Sequence, residues 1–185
     1  LNIIKDKFGN IDFIIHAVAF SDKNELNGRY IDTSKNNFIN SLSISCYSFT
    51  KIAKIFQPII NENGSLLTLS FYGANKVMPN YNVMGIAKAA LETSVKYLSV
   101  DLGSKNIRVN AISCGPMRTL AGAAIANSRD VYKFTKDNSP LKRNVELTEV
   151  GDSALYFISD LSKAVTGEIH FVDSGFSILG MPKSK

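Results

Sequence analysis

The chain has 185 residues, of which 45% are hydrophobic and 20% are charged, with a formal net charge of +5. These proportions are typical of one soluble globular domain, and no stretch approaches the roughly 18 unbroken apolar residues of a membrane span. Its 21 lysines and arginines are spread along the chain without a dense basic cluster, which argues against nucleic acid as a partner.

The few cysteines and histidines indicate neither a disulfide framework nor a metal site. Cys46 and Cys114 lie far apart with no C-x-x-C spacing, which fits a reducing cytoplasm. His16 and His170 form no H-x-x-x-H pattern, so we expect two structural histidines and no bound metal.

The first third of the chain predicts a short helix, a strand and a long helix. Residues 1–9 form an amphipathic segment that closes at Gly9, as at the end of a helix. Because a domain rarely opens on the last turns of a helix, we expect further sequence upstream. The apolar run 11–20 predicts a central parallel strand. A long helix is predicted from Asp32 or Ser34 to Phe56.

The remaining elements keep the same alternation. A second strand is predicted at 65–69, and a second long helix from Asn80 to about Gly103, with Asn80 as its N-cap. The later elements are a strand at 107–113, a short charged segment at 130–136, a helix at 148–160 with Thr148 as its cap, and a strand at 168–172. Alternating strands and helices predict an α/β fold, a doubly wound parallel sheet of about four strands with flanking helices.

Tyr81 and Lys88 are the strongest candidates for chemistry. Seven residues on a helix are close to two turns, so the two side chains are predicted to share a face. We expect a nearby ammonium to lower the pKa of the phenol and to offer donors to the hydroxyls of a cofactor. A proton donor beside a cation is what reduction of a carbonyl or enoyl group requires, because an oxyanion develops there.

Five segments together carry a resemblance to a known family. The sequence resembles the NADH-dependent enoyl-acyl-carrier-protein reductases, divergent members of the short-chain dehydrogenase/reductase superfamily. Ordinary members of that superfamily have a Tyr-x3-Lys spacing, whereas Gly85 occupies the fourth position after Tyr81 here. The segments that carry the resemblance are 16–21, 79–88, 108–113, 115–121 and 172–176.

The resemblance implies a role for each matching residue. Tyr81 would stabilise the enolate formed at the thioester carbonyl when hydride reaches the enoyl β-carbon. Lys88 would bind the nicotinamide ribose hydroxyls, and Val18 would contact that ribose through its main chain. Ser21 would line the acyl entrance. The cofactor contacts implied after the third strand are Met117, Arg118, Thr119, Leu120 and Ala121. For Met117 and Leu120, simple core packing is the alternative.

One position departs from the family pattern. The family usually carries a second tyrosine directly after the residue that matches Ser70, and this chain has Phe71 there, followed by Tyr72. Phenylalanine can line a substrate wall but cannot donate a hydrogen bond. Tyr72 would point to the opposite side of an extended segment. Tyr81 is therefore expected to be the only phenolic donor, with Phe71 as a substrate-wall residue.

The strand and glycine-rich turn with which the family's fold begins are not recognisable before Ile11. We therefore expect residues 1–185 to form a single, incomplete Rossmann-like domain that lacks the first strands and the glycine-rich turn. Two consequences follow from this expectation. NADH affinity should be poor because the adenosine half of the site is missing, and the strand at 11–16 should present an unpaired apolar edge. The isolated chain would then fold poorly or require a partner.

The resemblance also implies partners and leaves alternatives open. The implied substrate is an enoyl group on acyl carrier protein, with Arg129, Lys133 and Lys136 as candidate contacts to the acidic carrier. A homotetramer is implied through the helices that begin near Ser34 and Asn80. One alternative is a catalytically inactive remnant or one subunit of a split short-chain dehydrogenase/reductase. Another is a β-ketoacyl or alcohol dehydrogenase, which the Tyr-x6-Lys spacing disfavours.

Overall fold

A computed structural model describes residues 1–119, 122 and 125–181, and it contains one four-stranded sheet in these residues. The strands are β1 (Ile11–His16), β2 (Ile60–Phe71), β3 (Arg108–Cys114) and β4 (Ile169–Val172). They lie in the order β1-β2-β3-β4, and every neighbouring pair is parallel. The predicted α/β fold with a parallel sheet is therefore confirmed.

Six α-helices connect and flank the strands in the part of the chain that the structure describes. They are α1 (Asn2–Phe8), α2 (Lys35–Leu42), α3 (Ser48–Phe56), α4 (Asn82–Gly103), α5 (Ser128–Asn138) and α6 (Leu147–Ile158). A π-helical turn, Ser43–Tyr47, joins α2 to α3, so the long helix predicted to end at Phe56 contains one widened turn. Ser34 caps this long helix by accepting a hydrogen bond from the Asn37 amide at 3.1 Å.

Helices cover both faces of the sheet, which explains the continuous apolar runs in the central strands. Consecutive residues of β2 point to opposite faces: Leu66 packs in the cluster with Phe49 and Leu91, and Leu67 packs with Phe157 of α6. All five of these side chains are 0–1% exposed. Each such burial contributes about 1.5–3 kcal/mol relative to exposure, so the position of α4 against β2 is strongly determined.

β1 lies at an edge of this sheet. Among the described strands it pairs only with β2, and Phe13 and Ile15 are 45% and 43% exposed. The prediction of an apolar edge is confirmed, whereas the prediction of a strand extending to Phe20 is wrong. The strand ends at His16, and the Ser45 hydroxyl in the π-helical turn then holds the backbone of Phe20, accepting from its N–H at 2.9 Å and donating to its C=O at 3.1 Å.

Both predicted cap residues of the later helices are wrong. Tyr81, not Asn80, is the N-cap of α4; Asn80 adopts a left-handed backbone, and its side chain donates to the carbonyl of Ala126 at 3.1 Å. The cap of α6 is Glu146, and Thr148 lies inside the helix. A reciprocal pair of hydrogen bonds between Glu146 and Glu149 forms this capping box. The charged segment predicted at 130–136 belongs to α5.

No helix in the part of the chain that the structure describes is both long enough and apolar enough to cross a membrane.

Candidate active site

The residues singled out from the sequence gather at the carboxyl edge of the sheet. β1, β2 and β3 end there at His16, Phe71 and Cys114. In open α/β folds, ligands bind in the crevice outside these strand ends. The segment after β2 leads directly to Tyr81 and the first turn of α4. The position of β2 therefore places the candidate phenol at this edge of the sheet.

Tyr81 is buried in an apolar wall at the end of β2. Its side chain is 7% exposed and packs with Leu26, Val83 and Met84. Its ring meets the Phe71 ring edge-on, with centroids 4.9 Å apart. Gly73 lies so close to the Tyr81 ring that a Cβ at this position would overlap it. The loop after β2 therefore requires glycine at residue 73, because any side chain there would occupy the space of the Tyr81 ring.

The hydroxyl of Tyr81 is a protonated donor in this environment. Burial raises the pKa of Tyr81, and the nearby Glu92 carboxylate raises it further. Our expectation of a lowered pKa for Tyr81 is therefore wrong, because burial disfavours the phenolate. Within the described residues, the hydroxyl has no hydrogen-bond partner.

Lys88 lies two turns along α4 and reaches the same strand. It is 7% exposed, and its Nζ donates to the main-chain carbonyl of Leu69 at 2.7 Å. Tyr81 and Lys88 thus contact residues only two positions apart on β2. Burial lowers the pKa of Lys88 to about 8, while the charges of Cys114, Glu92 and Cys46 oppose that shift.

The ammonium of Lys88 has donors to spare. An ammonium has three N–H groups, and one of them is used by Leu69. Lys88 forms no ion pair within the described ranges 1–119, 122 and 125–181. A buried cation with two spare donors at a strand end fits a polyhydroxylated ligand such as the ribose of a dinucleotide.

The predicted cofactor residues after β1 and β3 differ in their surroundings. Val18 is 48% exposed, next to the Phe20 backbone that Ser45 holds. Met117 is partly buried and packs against the core cluster that contains Cys114, so it contributes to the core. The guanidinium of Arg118 lies 5.1 Å from the ring centroid of Tyr132.

Thr119 closes the described part of the loop after β3, because its hydroxyl accepts a hydrogen bond from the Gly122 amide at 3.0 Å. Leu120 and Ala121 lie outside the described residues.

The predicted substrate residues divide into a wall and a polar network. Phe71 forms the wall of Tyr81. Tyr72 packs against Phe171 and Phe176, whereas Phe71 packs on Tyr81, so the two rings point in different directions as predicted. The half-buried Ser21 hydroxyl donates to the Asn37 side chain at 3.3 Å and accepts from the Ser41 hydroxyl at 3.0 Å, so it is anchored to α2.

Both histidines make contacts within the protein. His16 is 2% exposed, with Nδ1 2.9 Å from the Thr68 hydroxyl and Nε2 2.7 Å from the Ser48 hydroxyl. The Ser48 hydroxyl donates to the Ile44 carbonyl, so it accepts from Nε2–H of a neutral ring. Burial, and then the Lys88 charge, lower the pKa of His16 to about 4. His170 packs against Phe157.

No group of three or more potential metal ligands occurs in the ranges that the structure describes.

Sequence reasoning missed two anchoring residues beside Tyr81. The Asn82 amide donates to the carbonyls of Glu25 and Leu26 at 3.3 and 3.0 Å, which ties the segment after β1 to the start of α4. Glu92 accepts hydrogen bonds from Ser70 and Asn75. The position of Glu92, one helical turn after Lys88, was the available signal.

A basic face on α5 is the remaining candidate surface. Arg129, Lys133 and Lys136 are exposed and spaced by four and three residues, which places them on one side of the helix.

Comparison with known proteins identifies the relatives of this arrangement. A family model described as enoyl-(acyl carrier protein) reductase matches residues 1–177. The enoyl-acyl-carrier-protein reductase (NADH) 1 of Rhizobium meliloti is 58% identical over 178 residues, which are 96% of this chain and 65% of that protein. The FabI reductase (NADH) of Rickettsia typhi is 55% identical over 182 residues, 98% of this chain and 70% of that protein.

Solved structures agree with the sequence comparison. The crystal structure of the enoyl-(acyl-carrier-protein) reductase of Anaplasma phagocytophilum in complex with NAD has a TM-score of 0.95 and 56% identity, covering 99% of this chain and 70% of that one. The NADH enzyme of Aquifex aeolicus VF5 has a TM-score of 0.94 and 40% identity, with 97% and 70% covered. The chain thus spans 65–70% of the length of these relatives.

Proposed function

The chain belongs to the enoyl-acyl-carrier-protein reductase family, and from that premise we propose that it supports the NADH-dependent reduction of the enoyl double bond of acyl-carrier-protein thioesters in fatty-acid elongation. The observation that carries this proposal is the burial of the Tyr81 phenol and the Lys88 ammonium at the end of one strand, β2. A donor and a cation in a site of low dielectric act strongly on charge that develops in a bound substrate.

Tyr81 would act on the thioester oxygen. NADH, when bound, supplies the hydride that the enoyl β-carbon accepts. Negative charge then grows on the thioester oxygen, and a phenol with a raised pKa remains protonated to donate a hydrogen bond to it. Phe71 and Leu26 exclude water around the ring, which strengthens that hydrogen bond.

Lys88 would hold the reacting end of the cofactor. Its two spare N–H donors suit ribose hydroxyls, and its positive charge adds to the field at the thioester oxygen. We assign further contacts with the nicotinamide end to Val18, Met117, Arg118, Thr119, Leu120 and Ala121, and the acyl entrance to Ser21 and Phe71. These assignments rest on the family match.

The wider assignments follow the same premise. We propose one Rossmann-like domain, with acyl carrier protein meeting Arg129, Lys133 and Lys136 on α5. We also propose a homotetramer in the cytoplasm, assembled through the helices that begin near Ser34 and Tyr81. Exposed apolar residues on these helices support self-association: Tyr47 is 58% exposed, Tyr97 is 73% exposed and Val100 is 80% exposed.

Two thioester substrates test the proposed reaction. With NADH, the full-length protein should reduce a crotonyl thioester and leave an acetoacetyl thioester unchanged. Reduction of the acetoacetyl substrate instead would indicate a β-ketoacyl reductase. Turnover of neither, in a folded protein that still binds NADH, would indicate an inactive relative.

A further inference from the structure

Glu92 makes contacts at both ends of the loop that surrounds Tyr81. Its carboxylate accepts a hydrogen bond from the Ser70 hydroxyl at 2.6 Å through Oε1 and from the Asn75 side-chain amide at 3.1 Å through Oε2. Ser70 is the penultimate residue of β2, and Asn75 follows the loop's 3₁₀ turn, Tyr72–Ala74. One carboxylate on α4 therefore joins the two ends of residues 71–74.

The enclosed residues form the wall on which the Tyr81 ring rests. The Phe71 ring meets the Tyr81 ring edge-on, and Gly73 lies directly against it. The same glycine also packs closely on α4, because a Cβ at Gly85 would lie 2.8 Å from the Gly73 oxygen. A small displacement of this loop would move the phenol, and displacements of about 1 Å can reduce catalysis 100-fold.

We propose that Glu92 is a positioning residue that fixes the loop behind Tyr81 and keeps the neighbouring Lys88 charged. The consequences for turnover rest on the proposed function, whereas the loop contacts do not. Hydrogen bonds to a carboxylate are about twice as strong as neutral ones. Replacing Glu92 should therefore loosen the loop even in protein without cofactor.

The charge of Glu92 acts on Lys88 from one helical turn away. Other titratable groups face Lys88: His16 on β1, Cys46 in the π-helical turn and Cys114 on β3. Burial raises the pKa of the Cys114 thiol to about 11, and the His16 ring and Tyr81 phenol are neutral near pH 7. Glu92 is thus the carboxylate among the groups that favour the ammonium.

The test compares Glu92→Ala, Glu92→Gln and the matched control Glu62→Gln in the full-length protein. Glu62 is an exposed carboxylate at the opposite end of β2, bound to Asn106. In cofactor-free protein, amides of residues 72–76 should exchange hydrogen about tenfold faster in Glu92→Ala than in wild type or control. The kcat for crotonyl thioester at pH 6 should fall about 10- to 100-fold, with the Kd for NADH nearly constant.

Glu92→Gln separates the hydrogen bonds from the charge. Glutamine keeps an oxygen acceptor for Ser70 but loses the acceptor for the Asn75 amide, so it should restore part of the kcat lost in Glu92→Ala at pH 6. It removes the charge, so the loss of NADH affinity at alkaline pH should begin at a lower pH than in wild type. If the affinity for NADH falls over the same alkaline pH range in Glu92→Gln as in wild type, the electrostatic part of the proposal is overturned.

The outcomes distinguish this proposal from the proposed function. If the wild-type protein reduces no enoyl thioester, the proposed function fails, and hydrogen exchange still tests the loop contacts. If Glu92→Ala exchanges and turns over like wild type, the positioning role is wrong. Should Glu92→Ala fail to fold, Asn75→Ala removes one contact at an exposed site; exchange in residues 72–76 as slow as in wild type would then contradict the proposal.

Discussion

The carboxyl end of β2 and the outer edge of β1 belong to one sheet but differ in how their side chains are held. At the end of β2, Phe71 packs on Tyr81, and Ser70 binds Glu92. On β1, Phe13 and Ile15 remain almost half exposed. The first region is fixed by contacts within the chain and holds both candidate catalytic residues. The second offers an apolar strand edge with which another strand can pair.

Tyr81→Phe should cause the largest change. The substitution keeps the ring in its wall and removes only the donor, so kcat for crotonyl thioester should fall at least about 100-fold. NADH affinity should change little, because Lys88 is untouched. Steady-state kinetics together with NADH titration check both expectations. The exposed Tyr97→Phe on the same helix is the matched control.

Lys88→Met should weaken NADH binding about tenfold or more, because hydrogen bonds to a charged group contribute about 1.5–3 kcal/mol. In wild type, affinity should fall as pH rises through about 8, since burial lowers the pKa of Lys88 to that value. Binding isotherms from pH 6 to 9.5 measure the effect. An affinity that is independent of pH in wild type would argue against an ammonium at this contact.

His16 should make stability sensitive to acid. Its folded-state pKa of about 4 is below the ordinary value of 6.5, so the unfolded chain takes up a proton first as pH falls. Stability is therefore lost between about pH 6.5 and 4, by at most about 1.4 kcal/mol per pH unit.

Denaturant unfolding of His16→Gln across this window should show a smaller dependence on pH than wild type. Equal slopes in wild type and His16→Gln would contradict the burial of a neutral His16.

The smallest expected effect on stability is at the β1 edge. Phe13→Lys in the 185-residue chain should change the unfolding free energy by about 0.5 kcal/mol or less, as for most surface substitutions. It should nevertheless reduce self-association, because an inserted lysine disfavours edge-to-edge pairing. Light scattering against concentration measures this, and scattering equal to that of wild type would show that the edge does not drive association.

The sequence predicted most of the framework because its signals are local. Apolar runs predicted the positions of the four described strands. The Tyr81–Lys88 spacing predicted that both side chains share a helix face, and both lie at the end of β2. The predictions of the two helix caps were wrong because each cap depends on which side chain forms the local hydrogen bonds. The Asn80 side chain bonds to the Ala126 carbonyl, and Glu146, which precedes Thr148 in the chain, forms the capping box.

The π-helical turn and Glu92 were not predicted because their contacts are distant in sequence. Ser45 bonds to Phe20, 25 residues away, and Glu92 to Ser70, 22 residues away. The pKa of Tyr81 was predicted in the wrong direction because it depends on burial, and burial depends on packing by Leu26 and Phe71.

Titration of the phenol itself tests most directly whether Tyr81 acts as a protonated donor. The chain has seven tyrosines, so the ultraviolet difference between wild type and Tyr81→Phe isolates the ionisation of Tyr81. We expect no ionisation at this position below about pH 10, the reference value for tyrosine. A phenol that ionises near pH 7 or 8 would contradict the mechanism, because the group at the thioester oxygen would then be a phenolate with no proton to donate.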